Sequence, residues 1–452
     1  MNVANQAPHK HILTVINNEE GVLIMLSLIG IIISLVLLII LAFKGFGLLL
    51  VTPVLAVLVA LTSNMDIVEA LTGPYMDSFV GFAQDYFLIF LFSAIFGKVI
   101  ADSGAAASIA AGIMKVIGKK SRLAVIAATM IITAALTYGG VSLFVAIFVV
   151  MPIARPIFKE MDIPWPIFIG SFALGAATFT MTMLPGTPQI QNIIPMTHLG
   201  TSPTSGALIG LVATAVVIPF GLWWLNREDK KYQKKNIGYE ETKGNVSADT
   251  EEKNHYPKFI ISIFPSALLL ILINIVQLNI ELSLALSVIA ALVLFYIYLE
   301  QPLQTFNTGA MNVAAPILNT CAVVGFGGVV ASTQGFEVMR AALLDFPGHP
   351  LISFAVAINV MVGITGSASG GLGIALETLA DDYSHVNSEA LHRIGAISSG
   401  GLDSLPHSGA VVTLLTVSGT THRVSYMPVF WMCVVGPLIA LAVALIPAIF
   451  FY

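Results

Sequence analysis

Stretches of about twenty apolar residues recur through this chain and limit what it can become. A helix that spans a bilayer needs roughly 20 such residues. Runs at 21–43, 46–62, 86–101 and 207–225 approach or exceed that length in the first half, and runs at 259–277, 282–299, 309–332 and 427–451 do so in the second. Four more, at 123–152, 167–195, 351–379 and 391–417, are apolar but interrupted by glycine, proline and polar residues. The pattern predicts an all-α polytopic membrane protein.

Apolar residues make up 57% of the chain and charged residues 10%, where a soluble domain carries about 25% charged residues. Too little charge remains to coat a soluble core. The net charge of −5 supplies no basic surface for nucleic acid. Cys321 and Cys433 both lie in apolar runs, so neither a disulfide framework nor a CxxC site is expected. No zinc-protease, P-loop or nucleophile-elbow motif occurs, and neither a cofactor nor a resident metal is expected. The polar segment 1–20 lacks the pattern of a signal peptide, so the first apolar run is expected to remain as a helix.

The runs fall into two similar halves. Segment 226–258 separates them, and from Arg227 onward it holds eight Lys/Arg and seven Asp/Glu. The expected organisation is a tail at 1–20, a membrane repeat at 21–225, a charged cytoplasmic linker at 226–258 and a second repeat at 259–452. Gly104 and Gly335 are 231 residues apart, and so are Gly139-Gly140 and Gly370-Gly371. Leu184-Pro185 and Leu405-Pro406 match at a separation of 221. Three landmarks in one order point to an internal repeat.

Lys and Arg predict orientation. Basic clusters stand at Lys115, Lys119, Lys120 and Arg122, at Arg155 and Lys159, and at the start of the linker. If all are cytoplasmic, the run 123–152 enters and returns as a hairpin with Gly139-Gly140 at its tip. About ten crossings plus two such hairpins place both termini outside. The first half then contributes an odd number of crossings, which makes the repeats inverted in topology.

Broken helices at membrane depth are tolerated where protein or a cavity surrounds them. In transporters their half-helix N-termini aim N–H groups at anionic substrates. The first tip offers Thr137, Tyr138, Gly139, Gly140 and Ser142, and the second Thr365, Ser367, Ser369, Gly370 and Gly371. The first Leu-Pro break adds Thr187, Gln189, Gln191 and Asn192, and the second Ser404 and Ser408. Small residues at these places also serve close helix packing. Asp403 and His407 are ionisable groups at a break, where a proton carrier is expected. A structural pair that pins the break is the alternative. Lys and Arg are absent from the four interruptions themselves, which suits a small, singly charged substrate.

Gly97-Lys98, Ala101-Asp102-Ser103-Gly104-Ala105 and Gly118-Lys119-Lys120, with Leu402-Asp403-Ser404-Leu405-Pro406-His407-Ser408-Gly409, resemble the gluconate permease (GntP-type) family of bacterial symporters. The resemblance covers most of the chain except the linker. It implies inverted repeats, an elevator-type movement and proton-coupled uptake of sugar acids or short hydroxy acids. Gluconate-type members carry a His- and Pro-rich stretch where this chain has Leu184-Pro185-Gly186-Thr187-Pro188-Gln189, so it looks more like the 3-hydroxybutyrate branch.

The expected function is proton-coupled symport of a small hydroxy-acid anion across the cell membrane by a homodimer. A sodium-coupled carrier is the nearest alternative, since unwound backbone can bind Na⁺. A membrane-embedded enzyme is less favoured, because Asp403 and His407 have no second carboxylate or metal-ligand spacing beside them. A channel would need a repeated filter.

Overall fold

A computed structural model describes residues 19–44, 46–117, 121–243, 256–344, 347–406 and 408–452. Residues 1–18 of the tail expected at 1–20, the basic Lys119 and Lys120, linker residues 244–255 and the proposed proton carrier His407 lie outside the described residues. Among those described, every regular element is a helix.

The first half comprises α1 (Glu19–Phe43), α2 (Leu48–Thr62), α3 (Ile67–Asp102), α4 (Ala105–Ile117), α5 (Arg122–Tyr138), α6 (Leu143–Glu160), α7 (Trp165–Met183), α8 (Ile190–Leu199) and α9 (Ala207–Lys234). The second comprises α10 (Phe259–Asn274), α11 (Ile280–Tyr298), α12 (Pro302–Met311), α13 (Ala314–Ala331), α14 (Gln334–Leu344), α15 (Pro350–Thr365), α16 (Ala368–Leu379), α17 (Ser388–Ser399), α18 (Gly409–Val417) and α19 (His422–Phe451). Seven helices among the described residues are long and apolar enough to cross a membrane: α1, α3, α7, α9, α11, α12 with α13, and α19. Shorter apolar helices include α2, α5, α10 and α15. Each half runs through a helix pair, a long apolar helix, a short helix, a hairpin, a broken helix and a final long helix.

The third apolar run is longer than its hydropathy suggested. Expected at 86–101, it is the end of α3, which begins at Ile67 and carries Asp77, Gln84 and Asp85. Pro74 lacks an N–H and cannot continue the regular ladder, so the helix widens to a π-turn over Leu71–Tyr75. The expected linker boundary at 226 falls inside α9. Asp229 on that helix is buried and takes a forked pair from Arg122, with Nη2 at 2.6 Å from Oδ1 and Nε at 2.9 Å from Oδ2. The next residues fold onto the α6–α7 corner: Tyr239 N–H donates to Asp162 Oδ1 at 2.9 Å, and Trp165 N–H to Thr242 Oγ1 at 2.9 Å. The latter satisfies a free N–H at the start of α7. On this exposed strap the Lys243 ammonium holds the Glu240 carboxyl below its ordinary value.

Both hairpins have arms too short for a full crossing. With 17 and 18 residues, α5 and α6 reach about 25–27 Å against a hydrocarbon core of about 30 Å. Arg122 Nη1 donates to the Met161 carbonyl at 2.9 Å, which ties the open ends together. At the tip Gly140 takes φ +95°, a conformation that disfavours a side chain, and the Ser142 hydroxyl caps α6 by accepting from Val145 N–H at 3.4 Å. The second hairpin is built alike. Gly366 ends α15 at φ +60°, Ser367 caps α16, and the Ser353 and Tyr383 hydroxyls close the open end at 2.8 Å.

Contacts divide the chain into two units. One gathers α1, α2, the first part of α3 and the segment from Leu318 through α14. There Thr52 and Tyr75 share a hydrogen bond of 3.0 Å, and Gly335 N–H donates to Ser27 Oγ at 3.1 Å. The other unit holds both hairpins, both broken helices and α9, α10, α11 and α19. Its central element is α7, whose span is 94% buried, whereas that of α1 is only 33% buried. Trp165 stacks on Phe168 at 4.2 Å and meets Phe158 and Tyr239 edge-on. Side chains on every face of α7 pack against protein, which excludes it from the lipid boundary.

Candidate functional site

Leu184 leaves helical conformation at ψ 129° after a π-helical stretch over Gly175–Met183. Pro185 and Pro188 cannot donate into a helical ladder, so the chain resumes as α8 only at Ile190. This break receives the first hairpin tip. Thr137 and Thr180 share a hydrogen bond of 2.9 Å, Gln189 Nε2 donates to the Thr137 carbonyl at 2.6 Å, and Tyr138 OH donates to the Pro185 carbonyl at 2.9 Å. The Thr187 hydroxyl reaches back to the Thr180 carbonyl at 2.8 Å. Asn192 Nδ2 donates to the carbonyls of Thr187 (2.9 Å) and Pro203 (3.0 Å). Gln191 is buried, and its Oε1 has no hydrogen-bond partner among the described residues. Thr137, Tyr138, Thr187, Gln189 and Asn192 thus join one network across two elements.

The second tip and break are organised differently. Thr365 Oγ1 donates to the Val362 and Ser367 carbonyls, and Ser367 Oγ accepts from Gly370 N–H at 3.2 Å. Ser369 is buried. Gly371 faces the other arm so closely that an added Cβ would lie 2.5 Å from the Val362 Cα, which makes glycine there a packing requirement. Gly139 is tight as well, with Ser266 Oγ at 2.9 Å from such a Cβ. At the second break Asp403 is buried and accepts from Ser404 Oγ at 2.8 Å, while Tyr426 OH donates to the Ser404 carbonyl at 3.2 Å. Ser408 precedes α18 and is buried. Asn359 of the second hairpin lies against Gly401, and Thr182 lies against Gly400. The two breaks therefore come within contact of each other, each served by its own hairpin.

Sequence reasoning missed two residues of this site. His392 and Arg393 stand on α17 and are fully buried. Arg393 Nη2 donates to the carbonyls of Ser205 (2.8 Å) and Pro203 (3.1 Å), and Nε also donates to Ser205 at 3.1 Å. His392 Nε2 lies 3.0 Å from Asn192 Oδ1, and Nδ1 lies 2.6 Å from Thr201 Oγ1. The basic charge absent from the interruptions is brought to the first break by another helix. The signal is an ionisable pair inside the apolar run 391–417, which marks function by default. Arg393 shares its protons with neutral carbonyls. The network around the break thus carries a buried positive charge, which favours an anion nearby.

Comparison with known proteins accords with this arrangement. The sequence profile described as GntP family permease matches residues 22–303. A protein of Bacillus subtilis (strain 168) named "Uncharacterized transporter YxjC" is 34% identical over 452 aligned positions, which cover 90% of this chain and 95% of that protein. Both point to a transporter and not to an enzyme. With its apolar helices, its interrupted hairpins and a profile match across more than half of its length, this chain belongs to the GntP permease family.

Proposed function

We propose that the protein is a proton-coupled symporter of a small hydroxy-acid anion, 3-hydroxybutyrate-like or gluconate-like. The observation that carries this reading is the first break, where hydroxyls, amides and a half-helix N-terminus meet beside the fully buried Arg393. One buried cation with donors suited to hydroxyl and carboxylate oxygens fits a compact monoanion better than a tricarboxylate. Thr137, Tyr138, Thr187, Gln189, Gln191 and Asn192 would bind from the first half. Thr365, Ser367, Ser369, Ser404 and Ser408 would bind from the second, with the glycines at 139, 140, 370 and 371 allowing close backbone approach. Asp403 and His407 would carry the proton.

The repeats would be inverted, the broken helices would move as an elevator, and the protein would work as a homodimer in the cell membrane with a cytoplasmic linker and external termini. The repeated order of elements and the closed open ends of both hairpins support this reading. Sodium coupling is the second reading. It is favoured by Asn359 Oδ1 and Ser398 Oγ, buried oxygens without hydrogen-bond partners among the described residues.

Counterflow in proteoliposomes tests the substrate. Vesicles loaded with 3-hydroxybutyrate or gluconate should take up the labelled compound, and citrate should neither exchange nor compete. Exchange of citrate alone would overturn the assignment.

A further inference from the structure

A cavity of about 460 Å³ lies beside the first broken helix, lined by Asp85, Thr197, Thr201, Asn274, Asn279 and Glu281 among others. Exposed Thr204, Gln277 and Asn279 form part of its wall, so solvent reaches it. Thr201 is the wall residue whose hydroxyl touches His392. A hydrogen-bonded chain therefore runs from the cavity through Thr201 Oγ1 (2.6 Å) to His392 and through Nε2 (3.0 Å) to Asn192 Oδ1. Asn192 in turn binds the Thr187 and Pro203 carbonyls and so fixes the break.

The network determines the tautomer. Asn192 Nδ2 donates to two carbonyls, which identifies Oδ1 as the acceptor facing His392. Nε2 must then carry the hydrogen, and Nδ1 must accept from the Thr201 hydroxyl. Nδ1 is free to take a proton if that hydroxyl can turn. It can, because the Pro195 carbonyl lies 3.4 Å from Oγ1 as a second acceptor.

We propose that His392 is a proton-binding residue of the transport cycle, loaded from the cavity through Thr201. The inference rests on the proton-coupled reading and adds a titrating group at the first break to those at the second. Hydronium gives a proton to Thr201 Oγ1 as Oγ1 passes its own to Nδ1, leaving water in the cavity. The hydroxyl then accepts from Nδ1–H and donates to Pro195, so no hydrogen bond is lost. The imidazolium stands next to Arg393, whose positive charge repels it, so it needs a compensating anion. On its own helix Glu389 accepts from Gly206 N–H at 3.3 Å.

Among helices packed against α17, α8 contributes His198 and α16 contributes Glu377, while α7 and α15 contribute no acidic or basic side chain. On α19 the ionisable side chains are His422, Arg423, Tyr426 and Cys433, with Tyr452 just beyond its end. On α18 there is none, and those of α9 begin at Arg227, about 25 Å along the helix from Gly210, which packs on Arg393. Two adjacent buried cations are tolerated together when an anion sits beside them. Proton and substrate anion therefore bind cooperatively, as symport requires.

The test is uptake of labelled 3-hydroxybutyrate, or of gluconate if counterflow selects it, into proteoliposomes under an imposed pH gradient. The variants are His392→Gln, Thr201→Val and Thr201→Ser. Wild type should accumulate substrate, and its apparent KM should rise by up to about tenfold per pH unit in the alkaline range, as for linkage to one proton. H392Q should lose accumulation yet still show counterflow. T201V should lose the KM dependence on pH, and T201S should restore it. Wild-type accumulation and an unchanged pH profile in H392Q would overturn the role of His392 alone. If H392Q fails to insert, a wild-type profile in T201V overturns it. Absence of pH-driven accumulation in wild type would overturn the proton-coupled reading itself.

Discussion

At Gly371 a hydrogen atom stands where any side chain would meet the facing backbone, since an added Cβ would lie 2.5 Å from the Val362 Cα. Gly371→Ala should therefore cost about 1–3 kcal/mol through overpacking, seen as a lower melting temperature in detergent. An unchanged melt would show that the hairpin arms separate freely. Arg393 sets a second expectation. Arg393→Met leaves the Ser205 carbonyl without its donor, a loss of about 1–3 kcal/mol for a buried group left unsatisfied, while the Pro203 carbonyl keeps Asn192 Nδ2. Arg393→Lys should retain part of the stability and weaken substrate binding. At the second break Asp403→Asn should abolish pH-driven accumulation while leaving substrate exchange, and accumulation with an unchanged pH dependence would remove Asp403 from the coupling site. The glycine pairs, the threonines and the amides were legible because breaks in apolar runs single them out. Arg393 and His392 were not, because their helix supplies them to a break about 190–200 residues earlier in the chain.

At the scale of elements, the hairpin arms, the Leu-Pro breaks and several helix starts follow from local chemistry. Ser121 caps α5 by accepting from Ala124 N–H at 3.1 Å, and Asn387 caps α17 through two N–H groups. The true length of α3 and the continuation of α9 into the linker do not follow from hydropathy, because polar helices read as loops when their partners lie far away in sequence. Asp229 is such a case: it looks like a linker residue and is buried against Arg122. Asp229→Ala leaves Arg122 without its carboxylate and should cost about 3 kcal/mol, as for other broken buried pairs. A double-mutant cycle with Arg122→Met measures the coupling, and additivity of the two losses would show that the pair holds nothing together.

At the scale of the whole molecule, topology and coupling are decided together. The inverted-repeat reading expects Lys243 and Tyr452 on opposite sides. Single cysteines there, in a chain with the buried Cys321 and Cys433 replaced, should label unequally in intact cells with an impermeant thiol reagent. Equal external labelling of both would contradict it. The central claim is coupled transport of a small hydroxy-acid anion driven by protons. The most direct measurement is accumulation of labelled substrate in proteoliposomes given a pH gradient in one set and a sodium gradient in another, with membrane potential clamped in both. Accumulation above equilibrium is expected when the outside is acidic, and none with sodium alone. Accumulation driven by sodium and indifferent to pH would contradict it.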